Sequence, residues 1–354
     1  MNDSHSEFLY IKKTLGERNM NIKFSTKLFG AVAGAFLLST TSNAACGKIT
    51  IADMNWASAS FMAHVDKAVL TAMGCEIELI AGSTMPTWTS MNEKGEPDVA
   101  PELWVNTVGA DKLDSAVDAG RMYIGNAAPV EGLGEGWWIT PYTQDANPEL
   151  VTVEDVIARP DLFPDKEDPS KGFFMGCPAG WGCQLASASL FKAHGMAEKG
   201  WILGDPGTSA GLNGSIAKAS EQGENWFGYY WAPTTFLAKY DLRAVDLGPF
   251  AGTENWDCII LGADNCADPQ PSGWTVSRVN TMLSENFSYN GPKEANAYFA
   301  ARVYPFSVLN SVLVWADENQ ATGSDSAAYF LANHEDTWKA WVDADVAAEV
   351  EAAL

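Results

Sequence analysis

Residues 48–81 have the sequence KITIADMNWASASFMAHVDKAVLTAMGCEIELIA, which decides the fold class. Lys48 to Ala52 alternates as a short strand does, and Ile77 to Ala81 is apolar enough for a second strand. Between them, the spacing predicts a helix from about Ser58 to Met73. Its apolar face carries residues at i, i+4 and i+8: Phe61, Val65 and Val69. A strand, a helix and a strand in this order predict an α/β protein with a parallel sheet and crossover helices.

The next segments extend the same sheet and indicate where a ligand would bind. Asp98 to Ala100, with Leu103 to Val105, predicts the end of a third strand. Ligands of open parallel sheets bind at the carboxyl ends of the strands. Trp56 lies just past the first predicted strand and Trp104 lies close to the end of the third. We therefore expect a binding site at this edge of the sheet.

Composition divides the chain into lobes. Residues 142–169 are rich in Pro, Asp and Glu, which suits a crossover between domains. We predict a first lobe over residues 45–150, a second lobe over 151–273, and a return to the first lobe with C-terminal helices over 274–354. The second lobe is predicted to contain two helices and a strand: Gln184 to His194, Ser215 to Gln222, and Trp226 to Trp231.

Residues 1–44 carry the pattern of a secretory signal. Lys23 and Lys27 precede an apolar run from Leu28 to Leu38, and small residues follow. The run has about 11 residues, whereas a helix that crosses a bilayer needs roughly 20. We therefore predict export to the periplasm without a membrane span, with Met20 as an alternative start of the chain.

The charge balance excludes one large class of partners. The chain has 22 basic and 45 acidic residues, a net charge of -23, and loss of residues 1–44 would make it about -25. No basic stripe remains to displace counterions from phosphates, which excludes nucleic acid. Such acidity predicts a soluble monomer and favours the approach of a cation, although adaptation to a saline medium would explain it equally.

Six cysteines in an exported protein predict disulfides. The spacing favours two local staples, and the two remaining cysteines are left for each other: Cys177–Cys183, Cys258–Cys266 and Cys46–Cys75. Attachment of a lipid at Cys46 is the alternative use of that thiol. A zinc site is not supported, because the chain has no Cys-x-x-Cys and no histidine at ligand spacing.

Four tryptophans lie on separate segments in strand-end or loop contexts. Trp181 lies at the tip of Gly176 to Cys183, GCPAGWGC, and the others are Trp56, Trp104 and Trp231. Aromatic faces attract a quaternary ammonium group through their negative potential. If folding brings the four indoles together, they predict a cage for a methylated cation.

A hydrolase is the alternative from another class. Gly207 to Gly211 matches Gly-x-Ser-x-Gly with Ser209 as the nucleophile, and His334 follows it along the chain. Asp205-Pro206 interrupts the strand that should run straight into such a turn, which argues against this interpretation. The chain has neither Gly-x-Gly-x-x-Gly nor a Walker lysine, so we expect no nucleotide cofactor.

The chain resembles the substrate-binding proteins of ABC transporters for glycine betaine, proline betaine, choline and related osmoprotectants. The resemblance covers essentially the whole mature chain, and its motifs are CPAGWGC at 177–183, YYWAP at 229–233, PELW at 101–104 and MNWA at 54–57. It implies a two-lobed, class II periplasmic-binding fold. Each lobe would be a mainly parallel sheet flanked by helices, with the ligand in the cleft between the lobes.

The resemblance also implies roles for individual residues. Trp104, Trp181 and Trp231 would surround the trimethylammonium group, with Trp56 as a fourth wall. The backbone N–H groups of Gly182 and Cys183 would hold the ligand carboxylate. Histidines that many relatives use are replaced by Val108 and Phe236. Other donors to the carboxylate are therefore predicted: Asn55, Ser58, Thr84 and Asn106.

The implied function is that of a receptor without catalytic activity, which delivers its ligand to a membrane permease. Relatives that prefer choline carry an acid two residues after the first tryptophan, where this chain has Ser58. A buried cation without its own carboxylate would need an anion from the protein. The sequence therefore favours a zwitterion such as glycine betaine, with dimethylsulfoniopropionate, choline and carnitine as alternatives.

Overall fold

The computed structural model describes residues 46–127, 134–232 and 234–354. The predicted signal region and Met20 lie outside these residues. The strands, in chain order, are β1 Lys48–Met54, β2 Glu76–Gly82, β3 Val99–Trp104, β4 Met122–Ala127, β5 Glu135–Ile139, β6 Gly172–Met175, β7 Trp201–Gly204, β8 Phe227–Trp231, β9 Arg243–Ala244 and β10 Val279–Ser284.

Helices flank these strands. In chain order they are α1 Ala57–Ala72, α2 Thr84–Lys94, α3 Ala110–Asp118, α4 Pro141–Ala146, α5 Val153–Ile157, α6 Gly182–Ala193, α7 Ser209–Gln222, α8 Thr235–Tyr240, α9 Thr253–Ile259, α10 Glu285–Asn290, α11 Lys293–Ala301, α12 Phe306–Asn319, α13 Gly323–Asn333, α14 Glu335–Trp338 and α15 Ala344–Ala353. Three short 3₁₀ turns also occur: Val105–Thr107, Pro160–Leu162 and Lys339–Trp341.

The described strands form two sheets with the same internal pattern. The first sheet has the order β2-β1-β3-β10-β4 and the second has the order β7-β6-β8-β5-β9. In each sheet, four strands run in one direction and the fifth, β10 or β5, runs antiparallel to its neighbours. This arrangement confirms the predicted two-lobed α/β fold with mainly parallel sheets.

The chain changes lobe earlier than the sequence predicted. Residues up to 150 were assigned to the first lobe, but Glu135–Ile139 pairs with Phe227–Trp231 in the second sheet. The first crossing therefore lies between β4 and β5. The acidic, proline-rich segment that suggested the boundary contains α4, α5 and a 3₁₀ turn, and it follows the crossing. The second crossing lies between β9 and β10, because β10 pairs in the first sheet.

Local sequence explains where helix α1 ends and where helix α7 begins. In α1, the residues predicted to share an apolar face are all buried, and the chain leaves the helix through Gly74 in the left-handed region. Helix α7 begins at Ser209, six residues before its predicted start. The Thr208 side chain caps it by accepting the N–H of Gly211. The glycine-rich segment Gly204 to Gly214 is therefore partly helical.

Length and apolarity decide whether a helix can cross a bilayer. Among the described residues, no single helix is long and apolar enough to span a bilayer. Taken together, the helices Lys293–Ala301 and Phe306–Asn319 have the length and composition of a membrane span, but they are bent by 94° relative to each other. Both helices contribute buried residues to the core of the first lobe, including Phe299 and Leu309.

All three predicted cysteine pairs are joined in the structure. Cys46–Cys75 links the start of β1 to the segment between α1 and β2, with a sequence separation of 29 residues. Because its sulfur is in a disulfide, Cys46 has no thiol left for a lipid. Cys177–Cys183 closes the loop that carries Trp181 and leads into α6.

We expect the double substitution Cys46→Ala/Cys75→Ala to lower the stability of the first lobe. A cross-link over a loop of this length restricts the unfolded chain by about 3 to 4 kcal/mol. Thermal unfolding followed by circular dichroism should therefore show a clearly lower midpoint, with ligand affinity unchanged because the pair lies away from the cavity. An unchanged midpoint would contradict the expected constraint.

Candidate ligand cage

The four predicted tryptophans lie around one cavity between the lobes. Trp56 follows β1 and Trp104 ends β3 in the first lobe, whereas Trp181 precedes α6 and Trp231 ends β8 in the second. Each therefore lies at or just beyond the carboxyl end of a strand or at the following helix, as the topology of the sheets requires. All four are buried.

Trp181 is the central wall of this cage. Its ring lies 5.3 Å from that of Trp56 at an interplanar angle of 70°, and 5.0 Å from that of Trp231 at 83°. These are edge-to-face contacts, which indoles favour. Neighbouring rings therefore stand at steep angles to each other, as the adjacent walls of a box do.

The lobes are in contact across the cage. The Trp181 indole Nε1 donates to Asn55 Oδ1 at 2.7 Å, and the Met85 backbone N–H donates to the Gly180 carbonyl at 3.0 Å. Both bonds join the second lobe to the first. The cavity between the lobes has a volume of about 270 Å³, including the part that is open to solvent. The structure therefore represents a closed arrangement.

The N-terminus of α6 opens into the same cavity. Gly182 and Cys183 are the first two residues of this 12-residue helix, and both line the cage. The first N–H groups of a helix have no partner within the helix and carry a partial positive charge. This end of the cavity therefore suits an anionic group.

Close approach of the lobes also explains the glycine at position 182. A Cβ atom there would lie 2.0 Å from Thr107 Oγ1 and 2.3 Å from Thr107 Cβ, in the other lobe. Both distances are far below van der Waals contact. The closed arrangement therefore requires glycine at this position.

A buried carboxylate, which the sequence analysis did not identify, forms one wall of the cage. Glu135 on β5 lines the cavity and is 3% exposed. Its oxygens accept hydrogen bonds from four side chains: Asn106 Nδ2 at 2.7 Å, Tyr229 OH at 2.9 Å, Trp274 Nε1 at 3.2 Å and Ser277 Oγ at 3.3 Å. Burial raises the pKa of Glu135, while these donors favour its charged form. The cavity therefore contains a carboxylate from another part of the chain, although Ser58 stands where choline-preferring relatives carry an acid.

A second buried carboxylate, Glu102 on β3, lies behind two of the walls. Its Oε1 accepts the indole N–H of Trp56 at 2.6 Å and that of Trp104 at 3.0 Å. The Ser58 hydroxyl donates to the same oxygen at 3.0 Å. Burial raises the pKa of Glu102, and the three donors oppose that rise.

The predicted donors to a ligand carboxylate have mostly different partners. The Ser58 hydroxyl donates to Glu102 and the Asn106 amide donates to Glu135. Asn55 accepts from Trp181. None of these three lines the cavity in this closed arrangement, whereas Thr84 does line it. A role of these residues as donors to a ligand carboxylate stays a prediction.

Ser209 is separated from the residue that a hydrolase would need. It is the first residue of α7 in the second lobe. His334 lies between α13 and α14 in the first lobe, where its ring stacks on Phe330 at 5.7 Å. Among the described residues, no hydrogen bond joins Ser209 to a histidine, so the geometry does not support a catalytic pair.

Residues 47–333 match the model of the family described as the substrate binding domain of ABC-type glycine betaine transport system. A solved glycine betaine/L-proline-binding protein from Borrelia burgdorferi has 17% identity and a TM-score of 0.66, covering 86% of this chain and 99% of that one. A choline-binding protein in complex with choline has 16% identity and a TM-score of 0.66, with coverages of 87% and 98%. A lactococcal protein in a closed conformation with glycine betaine has 15% identity and a TM-score of 0.61, with coverages of 84% and 100%. At these identities the likeness concerns the two-lobed fold.

Proposed function

The chain belongs to the family of substrate-binding domains of ABC-type glycine betaine transport systems, and we propose that its tryptophan cage captures a methylated zwitterion, with glycine betaine as the first candidate. The observation that carries this proposal is the meeting of four indoles and the N-terminus of α6 around one cavity. The indoles suit the trimethylammonium group, and the helix N-terminus suits the carboxylate.

The energies are sufficient for a receptor. A desolvated cation-π contact contributes about 2 kcal/mol, so three or four faces contribute roughly 6 to 8. A micromolar dissociation constant corresponds to about 8 kcal/mol. Hydrogen bonds from Gly182 and Cys183 to the carboxylate would offset the costs of desolvation and lobe closure.

Glu135 supports a second candidate, a methylated cation such as choline that carries no carboxylate. A carboxylate wall stabilises a cation directly, whereas it would repel the carboxylate of a zwitterion placed nearby. The two candidates share the indole cage and differ in what faces Glu135. The sulfonium analogue dimethylsulfoniopropionate and the longer carnitine belong to the first class by charge.

The substitution Glu135→Gln separates the two classes, because it removes the charge and keeps the size. We expect it to weaken tetramethylammonium and choline by about tenfold and to weaken glycine betaine less, since the loss of attraction is offset by relief of repulsion. Isothermal titration calorimetry with glycine betaine, proline betaine, dimethylsulfoniopropionate, choline, carnitine and tetramethylammonium measures these changes.

Exposed Glu224→Gln is the matched control, since it removes the same charge from the surface of the second lobe. If the wild-type protein binds choline more tightly than every zwitterion, glycine betaine is replaced as the first candidate. If it binds no member of the panel, the proposed function is wrong.

We further propose that the protein acts as a periplasmic monomer and delivers its ligand to a membrane permease. The three disulfides support an oxidising compartment, and the negative charge supports a soluble monomer. Pull-down of the permease from solubilised membranes, with and without ligand, tests the delivery step.

A further inference from the structure

Glu102 occupies a position behind the cage that two of its walls share. Strand residues at i and i+2 lie on the same face, so β3 directs Glu102 and Trp104 to the same side of the sheet. Trp56 reaches the same carboxylate from the start of α1. One oxygen thus accepts both indole N–H groups, at 2.6 and 3.0 Å.

Burial disfavours the charge of Glu102, but three hydrogen-bond donors and the nearby Arg302 guanidinium favour the charged form. The residue is 3% exposed, and within the described part of the chain its Oε2 has no hydrogen-bond partner. The nearby guanidinium of Arg302 forms an ion pair with Asp66 at 3.1 Å, and Tyr298 donates to the same Asp66 oxygen. The two acids and one arginine of this cluster carry a net negative charge when ionised.

An indole that donates its N–H to a carboxylate is polarised by the negative charge. Electron density shifts toward the ring, and the negative potential over the ring face increases. That potential is what attracts a cation. Hydrogen bonding to Glu102 therefore strengthens the faces of Trp56 and Trp104 and also fixes their orientation.

The third wall offers an internal comparison. The indole N–H of Trp181 donates to the neutral amide oxygen of Asn55 rather than to a carboxylate. Its face therefore lacks this polarisation. Each of the two indoles from the first lobe should consequently attract a cation more strongly than the Trp181 indole does.

We propose that Glu102 is a positioning residue that sets the selectivity of the cage for a positive charge over a neutral group of the same shape. This proposal rests on the proposed cage function and adds a residue that does not itself touch the ligand. It predicts that removing the charge of Glu102 weakens the binding of a ligand with a cationic head group. The binding of a ligand of the same shape with an uncharged head group should weaken less.

The test is the substitution Glu102→Gln, measured with a pair of ligands. Glycine betaine and 3,3-dimethylbutanoate have the same shape and the same carboxylate, but carbon replaces the charged nitrogen in the second. We expect the ratio of their affinities to fall by about tenfold in Glu102→Gln. Effects of Glu102 on the carboxylate or on packing are common to both ligands and cancel in this ratio.

Glu349→Gln is the matched control, because it removes one exposed charge from α15. Its ratio should equal that of the wild-type protein. Equal losses for both ligands in Glu102→Gln would mean that Glu102 only supports the structure, and no loss would also overturn the proposal. Failure of the wild-type protein to bind glycine betaine or any cation would instead refute the proposed function.

A second measurement needs no change at position 102. In ¹⁵N-labelled wild-type protein, the indole protons of Trp56 and Trp104, assigned through the variants Trp56→Phe and Trp104→Phe, should resonate downfield of the Trp181 indole proton, because a charged acceptor forms the stronger hydrogen bond. Resonance at or upfield of the Trp181 position would overturn the proposal even if Glu102→Gln fails to fold.

Discussion

Trp181→Ala is expected to weaken the binding of glycine betaine or choline by roughly 100-fold, a loss of about 3 kcal/mol. The indole forms the central wall, in edge contact with Trp56 and Trp231. Its removal also breaks the hydrogen bond to Asn55 that joins the lobes. Calorimetric titration of the panel measures the loss, and retention of wild-type affinity would refute the cage.

Trp315→Ala is the matched control for this variant. Trp315 lies on α12 in the first lobe, stacks on Tyr329 at 4.1 Å, and does not line the cavity. The same change of side chain there should lower thermal stability without altering affinity. A loss of affinity in both variants would indicate that general destabilisation, rather than the cage wall, is responsible.

Gly182→Ala is expected to have the larger effect, because it prevents closure. The new methyl group would lie 2.0 Å from Thr107 Oγ1, and both the Thr107 Cβ and the backbone of α6 would have to move apart. The ligand would then lose contact with two indoles of one lobe, about 4 kcal/mol or roughly 1,000-fold in affinity.

Small-angle X-ray scattering should show that ligand compacts the wild-type protein but not Gly182→Ala. Each lobe should still fold, because alanine is accommodated at the first turn of a helix. Gly214→Ala in α7 is the control, since a Cβ atom there meets nothing within 4 Å. Ligand-induced compaction of Gly182→Ala with full affinity would contradict the proposed closed state.

The fold could be predicted well from local patterns. The side chains of β1 alternate with the period of a strand, and the apolar face of α1 has the period of a helix. Both periods follow from backbone geometry, so together with the order of the elements they were sufficient for the fold class. The lobe boundary was misplaced because composition marks surface segments, whereas sheet membership depends on long-range pairing. The pairing of Glu135–Ile139 with β8 leaves no local signal in the sequence.

The aromatic part of the site was predicted and the acidic part was not. Tryptophans at strand ends are informative because they are large and costly to expose, whereas an acid in a sequence is usually on the surface. Glu102 stands two residues before Trp104, so strand alternation could have placed them on one face. For Glu135, between Gly134 and Gly136, the sequence offers no comparable indication.

The division of the cage between the lobes has a kinetic consequence. Trp56 and Trp104 come from one lobe, and Trp181, Trp231 and Glu135 come from the other. A ligand inside contacts both lobes at once, so we expect it to leave only when they separate, and its dissociation rate should not exceed the rate of that separation. A partner that forces separation would release the ligand regardless of how tightly the closed protein holds it.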